Sequence, residues 1–189
     1  MAKRSKTLNG SGLELAEIEP LTRNQLVAFE SDKNLVLHGC AGTGKTFISC
    51  YLAFDDMTKN QYEKLVIIRS AVPTRDIGFL PGTEKEKSSV YEEPYYDISI
   101  DLFARGDAYQ ILKTKRLVHF MTTSYIRGIT LRDAVILIDE CQNHELPRIR
   151  LYYNKSRGKL QSNILWRLFT VRSKAERNER VLRDSSLHE

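Results

Sequence analysis

Long hydrophobic runs are missing from this sequence. The most apolar stretches, such as AVILI at 134–138, are far too short to span a bilayer, so no membrane is expected as a partner. The basic opening MAKRSK leads into TLNGSG rather than an apolar stretch, which argues against a secretory signal. Cysteine is scarce and odd in number. Cys40, Cys50 and Cys141 lack the paired spacing of a metal site, and as small packing residues they suit a reducing, cytoplasmic setting. Internal repeats and low-complexity blocks are also missing. Charge of both signs is present but unevenly spread. Residues 144–189 hold 11 Lys or Arg against 5 Asp or Glu, whereas 1–143 hold 18 basic and 19 acidic residues. The whole net charge of +5 therefore resides in the last 46 residues, as a solvated surface or a nucleic-acid-binding tail.

What is present suits one globular domain: 189 residues, 41% apolar and 28% charged, enough to bury a substantial core. Residues 1–19 read as a polar, flexible leader, 20–143 as the core and 144–189 as a basic tail. NLVLHG (34–39), KLVIIRS (64–70), RLVHFM (116–121) and AVILID (134–139) are short apolar runs rich in β-branched residues, as buried parallel strands are. KTFISCYLAFDDMTK lies between the first two with helical spacing and length. A shorter helix is suggested by Leu21, Gln25, Leu26 and Phe29. Strand, helix, strand at this interval is a βαβ unit, so an α/β fold with a mainly parallel sheet flanked by helices is expected. The turn-rich segment 71–115, with Pro73, Gly78, Pro81, Gly82 and Pro94, reads as a long functional loop followed by a helix.

The motif HGCAGTGKTF falls where the first strand meets the first long helix. Gly39, four residues, then Gly44-Lys45-Thr46 is the spacing of a P-loop. Gly39, Gly42 and Gly44 let the backbone curl so that N–H groups, with Cys40, Ala41 and Thr43 between them, converge on phosphate oxygens. The helix beginning near Lys45 adds its positive dipole end. Lys45 would reach the β and γ phosphates, and the Thr46 hydroxyl would ligate Mg²⁺. An accidental glycine-rich turn is the plain alternative, but here strand and helix flank the loop as the chemistry requires. AVILIDE then supplies a buried strand ending in two acids. Asp139 is the candidate partner of Mg²⁺ and Glu140 the candidate general base for an attacking water. An acidic loop at a strand end would be the better reading if no P-loop lay upstream. Three weaker features are Gln25, which could read an adenine edge, Arg127 in YIRGIT, and the tyrosines 91, 95 and 96, which could stack on bases or simply pack.

Together LTRNQ, HGCAGTGKT, IIRSAVPTRDIGFLPGTEKEK, YEEPYYD and YIRGITLRDAVILIDECQN resemble the PhoH family of P-loop ATPases, phage-encoded members most of all. The resemblance covers about residues 20–143. It implies a core like that of superfamily 1 helicases, binding and hydrolysis of ATP with Mg²⁺, and RNA or single-stranded nucleic acid as partner. Homo-oligomeric rings in the cytoplasm, a host's cytoplasm for a phage protein, are implied as well. It assigns ATP-related roles to Gln25, Gly39, Gly42, Gly44, Lys45, Thr46, Asp139, Glu140 and Gln142. Cys141 stands where the family usually has a small residue such as Ala. Two functions compete: an ATPase working on nucleic acid, and a module that binds ATP with little or no turnover. A small-molecule phosphotransferase draws on the P-loop alone.

The larger departure follows Asn143. The family continues to an apolar strand ending in a G-D-x-x-Q block that senses the γ phosphate, and residues 144–189 contain none. They resemble instead a translation of that half in the wrong frame, leaving the core incomplete at its C-terminal side. Read one base forward, Trp166 followed by Arg167 can give only a glycine codon. Synonymous choices around NILWRLFTVRS then permit VIFCGDYSQSD, and HELPRIRLYYNKSRGKL permits MSFHEFDYITTRVGENC directly after DECQN. A genuine divergent tail, with NILWRLFTV as its next strand, is the alternative. Translating the gene one base forward after the Asn143 codon should yield G-D-x-x-Q where Trp166 is encoded. An early stop codon there would rule the shifted frame out.

Overall fold

A computed structural model describes residues 6–8, 10–31, 34–69, 84–122, 133–140 and 164–172; the side chains of 84–88 and 164–172 are outside that description. Strands β1 (Lys6–Leu8) and β2 (Leu13–Leu15) precede α1 (Arg23–Glu30), β3 (Leu35–Gly39), α2 (Lys45–Thr58) and β4 (Lys64–Arg69). Then follow α3 (Glu84–Phe103), α4 (Ala108–Thr114), β5 (Val118–Thr122), β6 (Ala134–Asp139) and β7 (Ile164–Arg172). The last five strands apart from the opening pair form one sheet in the order β3-β7-β6-β4-β5, and every pairing is parallel. The expected α/β class with a helix-flanked parallel sheet is what the chain adopts.

The runs at 64–70 and 134–139 become strands buried on both faces, whereas β3 leaves Val36 exposed. Leu65 and Ile67 on β4 and Val135 and Leu137 on β6 point into the main core, yet Val66, Ile68, Ile136 and Ile138 are buried as well. The third run, RLVHFM, begins later than its composition suggests. Arg116 and Leu117 close α4 instead of entering β5: the Leu117 N–H donates to the Leu112 carbonyl (2.8 Å) and the Arg116 N–H to that of Lys113 (3.0 Å), with Arg116 at φ 59°.

Helix α2 is buried without interruption from Ile48 to Met57, so a second layer must cover the side turned away from the sheet. That layer corrects the reading of a flexible leader for residues 6–8 and 10–16; residues 1–5 and 9 lie outside the described residues. β1 and β2 pair as an antiparallel hairpin, with Lys6 opposite Leu15 and Leu8 opposite Leu13. Leu8, Leu13 and Leu15 alternate into the core, and Gly10 and Gly12 turn the chain at φ 72° and 70°. The Lys6 ammonium donates to Asp55 Oδ1 (2.7 Å) and the Tyr51 hydroxyl (3.2 Å) on α2. The Ala16 N–H donates to the Leu102 carbonyl (2.8 Å), joining the hairpin to α3. Burial alone would raise the Asp55 carboxyl, but the ammoniums of Lys59 and Lys6 outweigh it and hold it below its usual range.

Two further expectations change. Residues 84–103 are helical straight through Pro94, so much of the presumed long loop is α3; segment 70–83 lies outside the described residues. Pro94 cannot donate to the Val90 carbonyl, but Val90 is half exposed, where water can satisfy that oxygen. Within the basic tail, β7 fits between β3 and β6, with Leu37 opposite Thr170 and Ile138 opposite Phe169. Its backbone is paired on both edges rather than loose. Either reading frame puts an apolar strand at this point, so the pairing alone does not choose between them.

Because Leu13 is fully buried, Leu13→Ala should destabilise the fold by about 2–5 kcal/mol in chemical denaturation. A loss below about 0.5 kcal/mol, as at an exposed site, would mean that the hairpin is not part of the core.

Candidate nucleotide site

Parallel strands bring their carboxyl ends to one edge of the sheet. Gly39, Arg69, Thr122, Asp139 and Arg172 close β3, β4, β5, β6 and β7 there, with Arg69 directly opposite both Asp139 and Thr122. This is the edge where α/β sheets bind ligands. From Gly39 the chain turns through residues 40–44 into α2. Gly44 caps that helix in the left-handed region (φ 74°), as does Gly42 (φ 76°) within the turn, and a side chain at either would be strained. No side chain caps α2, so its first N–H groups face the turn. The Lys45 ammonium folds back over it to the Cys40 carbonyl (2.6 Å), and the Thr43 hydroxyl donates to the same oxygen (2.9 Å).

The second half of the site arrives from 93 residues away. The Thr46 hydroxyl lies 3.3 Å from Asp139 Oδ1, at the end of fully buried β6. Asp139 is itself buried and surrounded by donors: the Glu140 N–H reaches Oδ1 (3.0 Å) and the Tyr95 hydroxyl reaches Oδ2 (2.7 Å). Glu140 turns out of the strand at φ 54°, a conformation costly for a residue with a side chain. A cleft of about 260 Å³ is lined by Ala41 to Phe47 together with Asp139 and Glu140. Burial, reinforced by the Asp139 charge, pushes the Tyr95 phenol well above its ordinary range, with Arg69 opposing. The same two causes push the Cys50 thiol up, so it is a neutral packing group rather than a nucleophile.

A hydroxyl and a carboxylate are hard oxygen donors suited to Mg²⁺, and too few to hold it without phosphate oxygens. Among the described residues no cluster of three His, Cys, Asp or Glu side chains could hold a metal by itself.

Thus Ala41, Gly42, Thr43, Gly44, Lys45, Thr46, Asp139 and Glu140 share one cleft, with Gly39 and Cys40 at its root. Gln25 is not among its lining residues. The Gln25 N–H bonds the Thr22 hydroxyl (3.2 Å) while its Oε1 accepts the Leu21 N–H (2.7 Å), which makes T-R-N-Q a helix-capping pattern. Gln142, Cys141, Arg127 and the GFLPG block fall outside the described residues. Of the three tyrosines, Tyr95 is 1% exposed and cannot stack on a base. Tyr91 lies under the Arg69 guanidinium (5.9 Å), and Tyr96 packs on Tyr109 (4.2 Å between ring centres). The bond from Tyr95 to Asp139 has no local signature in the sequence, since the two residues meet only in the fold.

Residues 17–154 match the family described as PhoH-like protein. The chain belongs to the PhoH-like family. The match runs past Asn143, where the family blocks cease to be legible in the sequence. A PhoH-like protein of Bacillus subtilis is 29% identical over 157 residues, covering 82% of this chain and 49% of that protein. One from Mycobacterium tuberculosis is 32% identical over 142 residues, covering 73% and 40%. Protein PhoH of Escherichia coli is 29% identical over 142 residues, covering 71% and 40%. The chain therefore spans half or less of the length of these relatives. PhoH-like chains are a family of P-loop nucleotide-binding proteins, and the cleft is built around that loop. Among the described residues no helix is long and apolar enough to cross a membrane.

Removing the Lys45 ammonium from the PhoH-like cleft should weaken nucleoside triphosphate binding about ten- to hundredfold, since a charge-assisted phosphate contact contributes about 1.5–3 kcal/mol. Calorimetric titration of Lys45→Ala measures this. An affinity equal to the parent's would remove Lys45 from the phosphates.

Proposed function

We propose that this PhoH-like chain binds ATP with Mg²⁺ and hydrolyses it, coupling turnover to RNA or single-stranded nucleic acid. The observation carrying this reading is the 3.3 Å approach of the Thr46 hydroxyl to Asp139 across the cleft. A P-loop without a carboxylate at that distance could hold phosphate but would lack the metal's protein partner. Residues 39–44 cradle the phosphates, and Lys45 neutralises their outer charge. Thr46 and Asp139 hold the Mg²⁺ site, where the ion would neutralise charge between phosphate oxygens. Glu140 orients the attacking water as general base. Gln25 keeps its assignment to the adenine edge, because a carbonyl oxygen already accepting one hydrogen bond can accept a second. Gln142 keeps the ATP-related role that the family resemblance implies. Assembly into a ring and residence in the cytoplasm, a host's for a phage-encoded chain, accompany this reading.

A second reading is supported by one specific observation. Strand β7 ends beside the P-loop strand, Arg172 opposite Gly39, and the sequence there contains no G-D-x-x-Q block. An ATP-binding module with little or no hydrolysis would result.

Glu140→Gln separates the assignments. It should leave ATP affinity within about twofold of the parent and lower single-turnover hydrolysis by about 10²-fold or more, the usual contribution of a general base. Hydrolysis at the parent's rate would overturn the role of Glu140. Faster turnover with added RNA supports the nucleic-acid-coupled enzyme, whereas tight binding with no turnover in the parent supports the module.

A further inference from the structure

Tyr95 belongs to α3, far in sequence from either half of the nucleotide motif, yet its hydroxyl meets Asp139 Oδ2 at 2.7 Å in a buried setting. The two carboxylate oxygens are thereby divided. Oδ1 takes the Glu140 N–H at 3.0 Å and Oδ2 takes the phenol, while the Thr46 hydroxyl lies 3.3 Å from Oδ1 and 3.5 Å from Oδ2. An aspartate can swing about its last side-chain torsion, which has a broad, nearly two-fold profile. A donor fixed on one oxygen removes that freedom.

The phenol is held in place from several sides. Arg69, opposite Asp139 in the sheet, donates from Nη1 to the Tyr91 carbonyl (3.1 Å), one turn before Tyr95 on α3. The Tyr95 ring is tilted against Phe120 of β5 at 5.8 Å. Farther along α3, Phe103 meets Phe54 of α2 edge-on at 5.0 Å. Helix α3 is thus tied to the ends of β4 and β6 and to α2, and its hydroxyl is delivered by packed secondary structure rather than by a loop.

We propose that Tyr95 is a positioning residue for the nucleotide-bound Mg²⁺, its hydroxyl holding Oδ2 of Asp139 so that Oδ1 stays turned toward Thr46. This inference rests on the nucleotide-site reading above. Groups hydrogen-bonded to a metal's ligands commonly change metal affinity by about 10–100-fold when removed. Tyr95→Phe keeps the ring and its contact with Phe120 while deleting the hydroxyl.

The test is the affinity of a fluorescent ATP analogue for the full chain, measured in EDTA and across a Mg²⁺ titration. Tyr95→Phe should raise the Mg²⁺ concentration at half-effect about tenfold and leave the affinity in EDTA unchanged. In an Asp139→Asn background the same substitution should add nothing, because the oxygen it oriented has already been altered. If the hydroxyl only satisfies a buried carboxylate, Tyr95→Phe lowers Tm while the Mg²⁺ midpoint stays put, and the proposal falls. A tighter midpoint also overturns it, since the phenol would then be competing with the ion. If the parent itself shows no Mg²⁺-dependent affinity, it is the nucleotide-site reading that has failed, and the role of Tyr95 goes with it.

Discussion

The contact between Thr46 and Asp139 depends on α2 lying flat along the sheet at one particular height. Thr46 is the second residue of that helix, so a small slide of α2 along its axis would carry the hydroxyl away from the end of β6. What prevents the slide is enclosure. Ten consecutive residues of α2 are buried, between the sheet on one side and the hairpin, α1 and α3 on the other. Phe29 stacks on Tyr51 at 5.2 Å, Phe54 meets Phe103, and the Lys6 ammonium bridges to Asp55. The site is therefore held by the side of the helix most remote from the sheet as much as by the motif itself.

Enclosing a helix in this way has an electrostatic cost, and the chain meets it locally. Asp55 would be destabilised by burial without the two ammoniums that reach it, Lys6 from the hairpin and Lys59 one turn later on α2. Glu92 on α3 is treated alike: it accepts from the Tyr109 hydroxyl (2.8 Å) and the Lys113 ammonium on α4. Asp139 differs. Its donors include a phenol from α3, a hydroxyl from α2 and the backbone N–H of Glu140.

Much of this was legible from residue patterns. The P-loop, the AVILIDE strand and the βαβ interval are local signals, and each sits where its pattern puts it. The hairpin was also written locally, as T-L-N-G-S-G-L-E-L with alternating leucines about a glycine-rich turn, but its short strands and polar flanks disguised it as a leader. Pro94 misled in the opposite direction. A helix interior with a proline is unfavourable alone, and only packing against β4, α2 and α4 makes it worthwhile.

The sequence by itself determined the elements and their chemistry: which stretch could curl around phosphate, which strand could end in a carboxylate, and where the excess of positive charge lies. Those properties follow from φ/ψ preferences, side-chain periodicity and residue type, which are local. Tertiary structure alone decided which distant groups meet. It placed Tyr95 on Asp139, a meeting that no motif announces. It also put β7 between β3 and β6, and gave the capping bonds to Gln25 without placing it in the cleft. Those outcomes depend on strand order and on how α2 and α3 pack, and long-range packing is a sum over many weak contacts that no short window of sequence contains.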